Sequence, residues 1–151
     1  MSGVSRLGKA MSRAKASQHE KFIAFKRAHG TLNQFLDEAN YLAAYVVGFS
    51  IIEDRITAMY SVLRSTSTDR PAQKELDKTP FSTKVGALKR ANDIGFPEAE
   101  LLLAEAKQRN ELTHSAMWNL DRFDHIVVQR VIALAKLADK LRSRQKSKFG
   151  K

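Results

Sequence analysis

The residues best suited to chemistry stand in one stretch, Gln108-Arg109-Asn110-Glu111-Leu112-Thr113-His114-Ser115. An arginine brings a planar fork of donors that matches a carboxylate or a phosphate. A histidine can give or take a proton near neutral pH. Leu102, Leu103 and Ala106 come just before the stretch. On an ideal helix Arg109 shares a face with Leu102, Ala106 and Thr113, and so points at the edge of a packing surface. Asn110 lies one turn below His114, and side chains four apart are neighbours. A guanidinium leaving water needs an anion, because an unpaired buried charge is strongly destabilising. Glu105, four residues earlier, is one such anion and a phosphate from outside is another. Glu53 and Asp54, which interrupt an apolar stripe upstream, are further carboxylates that could meet it.

Other chemistries lack a frame. There are no cysteines, hence no disulfide, thiolate metal site or cysteine nucleophile. The four histidines, at 19, 29, 114 and 125, form no His-x3-His or His-Glu-x2-His pattern, so neither a metal nor a cofactor is expected. The seven glycines build no phosphate-cradling loop, and no Gly-x-Ser-x-Gly elbow occurs. His29 and His125 read as ordinary surface or boundary residues. Trp118, the only tryptophan, reads as an anchor for the loop that follows the Arg109 helix.

The elements that must position this stretch are helices. Leu42, Tyr45, Phe49, Ile52, Ile56, Met59 and Leu63 recur at alternating spacings of 3 and 4, an apolar stripe at helical period over 40–64. Thr31 and Gln34 fit a capping box, so helix is expected from near 32, as one segment or two. Residues 65–80 are polar and unpatterned and read as a long loop. A second helix is expected over 82–93, with Ser82 as N-cap, Val85 and Leu88 inward and Gly95 as the left-handed C′ residue. Pro97 then opens a third helix over about 97–113, burying Leu102, Leu103, Ala106 and Leu112. A fourth is expected from Asp121, carrying Leu120, Phe123, Val127, Val131, Leu134, Ala138 and Leu141 inward. No strand pattern appears. The fold class is all-α, an up-and-down bundle of four to five helices with basic N- and C-terminal extensions.

The net charge of +10 on 151 residues is unevenly spread. Residues 1–30 carry seven Lys/Arg against Glu20 alone, and residues 136–151 carry seven against Asp139, whereas 31–135 are slightly acidic. This divides the chain into a basic N-terminal arm over 1–30, partly disordered or a short helix, a helical domain over 31–142 and a basic tail over 143–151. Leu7, Met11 and Ala14 could line the short helix, and Phe22, Ile23 and Phe25 form an apolar docking island. An organelle transit peptide is the competing reading of that arm; the apolar core of a secretory signal is missing. Basic ends favour a polyanion, nucleic acid or an anionic surface. Lys9, Arg13, Lys15, Lys21, Arg142, Arg144 and Lys146 are the candidate contacts. No run of apolar residues is long enough to span a membrane, so a cytoplasmic location without a membrane partner is expected.

Arg109-Asn110-x3-His114, closing a helix of a small all-α body, resembles the HEPN superfamily (higher eukaryotes and prokaryotes nucleotide-binding), whose motif is Arg-x4–6-His, commonly with a polar residue after the arginine. The resemblance spans about residues 40–142 and leaves both basic ends outside. It implies a HEPN-like bundle and a metal-independent endoribonuclease acting as a homodimer, with two Arg109/His114 sets meeting in one cleft. It also implies a toxin with a cognate antitoxin or a phage-defence role. Some relatives have lost catalysis, so a non-catalytic nucleic-acid-binding or assembly module is the alternative. A tyrosine two residues after the histidine, present in some toxin members, is replaced by Ala116. In this role His114 serves as acid or base, Arg109 binds the scissile phosphate, and Asn110 orients His114 or bonds that phosphate.

Overall fold

A computed structural model describes residues 18–67, 73–114 and 122–149. Among these there are six helices and no strand: α1 Gln18–Asp37, α2 Tyr41–Ser67, α3 Gln73–Lys78, α4 Phe81–Arg90, α5 Phe96–His114 and α6 His125–Phe149. The all-α expectation holds at this level. The central element is α2, which packs against α6, α1 and α4, while α5 lies on α4 and touches α6.

The stripe of α2 is the core. Tyr45, Phe49, Ile52, Ile56 and Met59 are fully buried, joined by Val85 and Leu88 of α4, Leu102 and Leu112 of α5, and Val128, Val131, Leu134 and Leu141 of α6. At the crossing of α2 and α6 the backbones come close at Gly48, where an added Cβ would sit 2.6 Å from Val131 Cγ1.

Several boundaries differ from those expected, and each has a local cause. Thr31 and Gln34 lie inside α1 and cap nothing. The break between α1 and α2 comes at Ala39, whose φ is 57°. There Asn40 N–H donates to Phe35 O and Ala39 N–H to Leu36 O, the hydrogen bonds of a Schellman cap. The same pair closes α4 around Asn92 (φ 61°), from Asp93 to Leu88 and from Asn92 to Lys89. Asn92, and not Gly95, is therefore the left-handed residue, and Gly95 immediately precedes α5. Pro80 occupies the position before α4, so Ser82 is not its cap. Asp124 caps α6, its Oδ1 accepting from Val127 N–H at 2.9 Å. Asp121, Leu120 and Trp118 lie outside the described residues. The 65–80 segment holds the end of α2 and the short α3, docked by buried Leu76 and by Arg64, which reaches Glu75 at 3.3 Å.

The basic ends are also drawn into the body. Residues 18–30 belong to α1, and residues 143–149 continue α6 beyond the boundary read at 142. Gln145 is buried and donates to Met59 O at 2.9 Å and to Asp93 Oδ2 at 3.2 Å, and Lys148 reaches Asp93 Oδ1 at 3.4 Å. A buried amide with its hydrogen bonds satisfied fixes a helix end that composition alone marks as a tail. No described helix is long and apolar enough to cross a membrane.

Candidate functional site

Arg109 leaves α5 toward α2. Its Nη1 donates to Glu53 Oε1 at 2.8 Å, its Nη2 donates to Asn110 Oδ1 at 3.3 Å, and its guanidinium lies 4.4 Å from the centroid of the Phe49 ring. The aromatic face and the carboxylate together hold the planar group at one orientation. Tyr45, Val46, Phe49, Ser50, Glu53 and Arg109 line a concave site of about 150 Å³. Its floor is aromatic because three successive turns of α2, at Tyr45, Phe49 and Glu53, point the same way.

A second ion pair stands nearby. Glu105 is almost wholly buried and accepts from Arg130 Nε at 2.9 and 3.1 Å. Of the anions open to Arg109 from the sequence, Glu53 is the one it meets, and Glu105 belongs to Arg130. The Tyr45 hydroxyl is buried without a hydrogen-bond partner. Burial first and the Glu105 carboxylate second push its pKa up to about 12, against the opposing pull of Arg130 and Arg109.

Arg109 and Asn110 are thus brought together with Glu53 and Phe49, but His114 is not among the cavity's lining residues. It is exposed at the last residue of α5, and five residues along a helix turn it by about 140° from Arg109. Within one chain the two side chains leave α5 in different directions. Among the described residues no three His, Asp or Glu side chains gather in a way that could hold a metal ion.

Of the candidate RNA contacts, Lys9, Arg13 and Lys15 lie outside the described residues and Lys21 falls in α1. Arg144 and Lys146 are exposed on α6. Arg142 is not a tail cation: it is half-buried, donates to Gln145 Oε1 at 3.1 Å, and has its pKa lowered by burial and by the neighbouring Arg55. His29 Nε2 lies 3.2 Å from Asp139 Oδ2, where α1 meets α6, and His125 lies edge-on to Tyr41 with ring centroids 6.3 Å apart.

Sequence reasoning assigned Tyr45 and Phe49 to the core and missed that they also floor the site. Their place in the stripe, one turn and two turns before Glu53, was the available signal. Nothing in the sequence marked Arg130 as the partner of Glu105. Compared with models of protein families, with curated proteins and with solved structures, the chain matches none.

Proposed function

We propose that the protein is a metal-independent endoribonuclease of HEPN type. It acts as a homodimer in which Arg109 binds the scissile phosphate and His114 moves a proton. The observation that supports this reading is Arg109 itself. It is held against Phe49 at the rim of a concave site, and its partner Glu53 is partly exposed and can return to water. A phosphate would replace one carboxylate oxygen by another anionic oxygen at the same fork. His114, exposed at the end of α5, is suited to meet substrate from the side. Two copies would supply an acid and a base as separate residues, since one histidine cannot be both at once. Asn110, which already accepts from Arg109, helps to orient that guanidinium. A toxin or antiviral defence role, with a cognate antitoxin, belongs to this reading.

One observation favours a second reading, a non-catalytic nucleic-acid-binding or assembly module. Glu53 and Asn110 together engage both terminal nitrogens of Arg109, as a purely structural arginine would be engaged. The two readings separate in one assay. Cleavage of a mixed-sequence RNA in EDTA is expected from the wild type and lost in Arg109→Ala and His114→Ala, with both variants folded and of unchanged mass in solution. Cleavage that persists in either variant, or that stops with EDTA in the wild type, refutes the nuclease.

A further inference from the structure

The described parts of the two basic ends approach each other at one place in the fold. His29 Nε2 of α1 lies 3.2 Å from Asp139 Oδ2 of α6, and Tyr41, just past the end of α1, meets His125 at the start of α6. Moving forward along one helix therefore moves backward along the other, and α1 runs antiparallel to α6. Lys26 and Arg27 of α1 are exposed in the turn before His29. The second half of α6 carries Lys136, Lys140 and Arg144, all exposed and each four residues from the next. Lys146 is exposed on the flank toward α1, and Lys148 completes the row while reaching Asp93. The only acid in this part of α6 is Asp139, and it is taken up by His29 and by Arg55, 3.9 Å away.

Such an arrangement costs energy in the free protein. Like charges four apart on a helix repel. A row of cations spaced about 6 Å apart along the axis is relieved by a polyanion with evenly repeated charges. The spacing is comparable to that of successive phosphates in an extended strand. A small anion could neutralise only one of them.

We propose that the outward face of the second half of α6 binds the sugar-phosphate backbone of single-stranded RNA. Lys136, Lys140 and Arg144 are its central contacts. The inference takes RNA as the partner from the nuclease reading, but it concerns binding and not cleavage. Binding there is backbone-directed and indifferent to sequence.

The test compares two triple variants of the full chain by fluorescence anisotropy with a 20-nucleotide mixed-sequence RNA at several salt concentrations. Lys136→Ala/Lys140→Ala/Arg144→Ala is expected to weaken binding roughly tenfold or more at 0.1 M salt. Losing three phosphate contacts should also lower the slope of log affinity against log salt by about 2. Lys74→Ala/Lys78→Ala/Lys107→Ala removes the same charge elsewhere and is expected to change affinity less than about threefold. Equal losses in both triples would mean that only net charge matters and would overturn the proposal, as would an unchanged slope in the first. It is also overturned if the first triple abolishes binding to phosphatidylserine vesicles while RNA binding is unaffected. A wild type that binds RNA through this face but cleaves none refutes the nuclease and leaves this inference standing. Cleavage in a first triple whose RNA affinity is unaltered does the reverse.

Discussion

Two arginine–glutamate pairs lie near Tyr45, and they are built in opposite ways. In Arg130–Glu105 the carboxylate is 2% exposed and the arginine 42%; in Arg109–Glu53 the values are 31% for the arginine and 43% for the carboxylate. Glu105 cannot leave its partner without becoming an unpaired buried charge, so that pair is a lock. Glu53 can be released into water at small cost, so Arg109 is able to exchange one anion for another. The same contrast separates the edges on which they lie. The seam of α2 with α6 closes around Gly48, packed against the Val131 side chain, whereas the edge between α2 and α5 leaves a cavity floored by Tyr45 and Phe49. Of the two pairs, only Arg109–Glu53 has a carboxylate that another anion could replace.

The largest expected difference is in stability on arginine removal. Arg130→Ala should cost about 2–4 kcal/mol by stranding Glu105, whereas Arg109→Ala should cost about 1 kcal/mol or less. Denaturant unfolding of the two variants measures this, and equal costs would erase the distinction. Next comes the seam: Gly48→Ala drives a methyl into a buried β-branched side chain and should cost roughly 1–3 kcal/mol. An unchanged unfolding midpoint would show that the α2–α6 contact is looser than described.

Tyr45 gives a pH test of the same region. Its pKa is pushed up to about 12 in the folded protein, so between about pH 10 and 12 the unfolded chain releases this proton while the folded chain keeps it. Its contribution to stability, full below about pH 10, is therefore lost as pH rises through that window. Tyr45→Phe should flatten the loss while leaving neutral-pH stability within about 1 kcal/mol, because no close hydrogen bond holds the buried hydroxyl, which has only a loose contact with Arg130. The smallest effect is at the exchangeable anion. Glu53→Gln should alter stability by under about 0.5 kcal/mol and strengthen RNA binding about twofold, read by anisotropy. Weaker binding would mean that Glu53 holds Arg109 in its binding orientation and does not compete with the phosphate.

Much of the body was legible in the residue pattern. The spacing from Leu42 to Leu63 identified the core face of α2, and Val85, Leu88, Leu102 and Leu112 were identified as inward from their own helices. These succeed because burial of a helix face is a local, periodic property. Helix ends were less legible. Ala39 and Asn92 take the left-handed conformation that glycine usually fills, and Thr31 and Ser82 resemble caps but sit where the backbone needs none. The site was half legible: Arg109 and Asn110 stood out, and Glu53 was among the anions considered for Arg109. That Glu105 belongs to Arg130 depends on how α5 meets α6, which no spacing within either helix reports.

By itself, then, the sequence determined an all-helical chain, a periodic core, a polar cluster at the end of α5 and an excess of positive charge at both ends. Periodicity and charge are properties of the chain and survive any arrangement of its helices. Only the tertiary structure decided which carboxylate each arginine meets. It also placed residues 18–30 and 143–149 in helices packed on α2 or continuous with α6, because those outcomes depend on distances between residues far apart in sequence. Packing α1 and α6 on the same long helix, with His29 at Asp139 and Gln145 on Met59 and Asp93, brings together segments from opposite ends of the sequence.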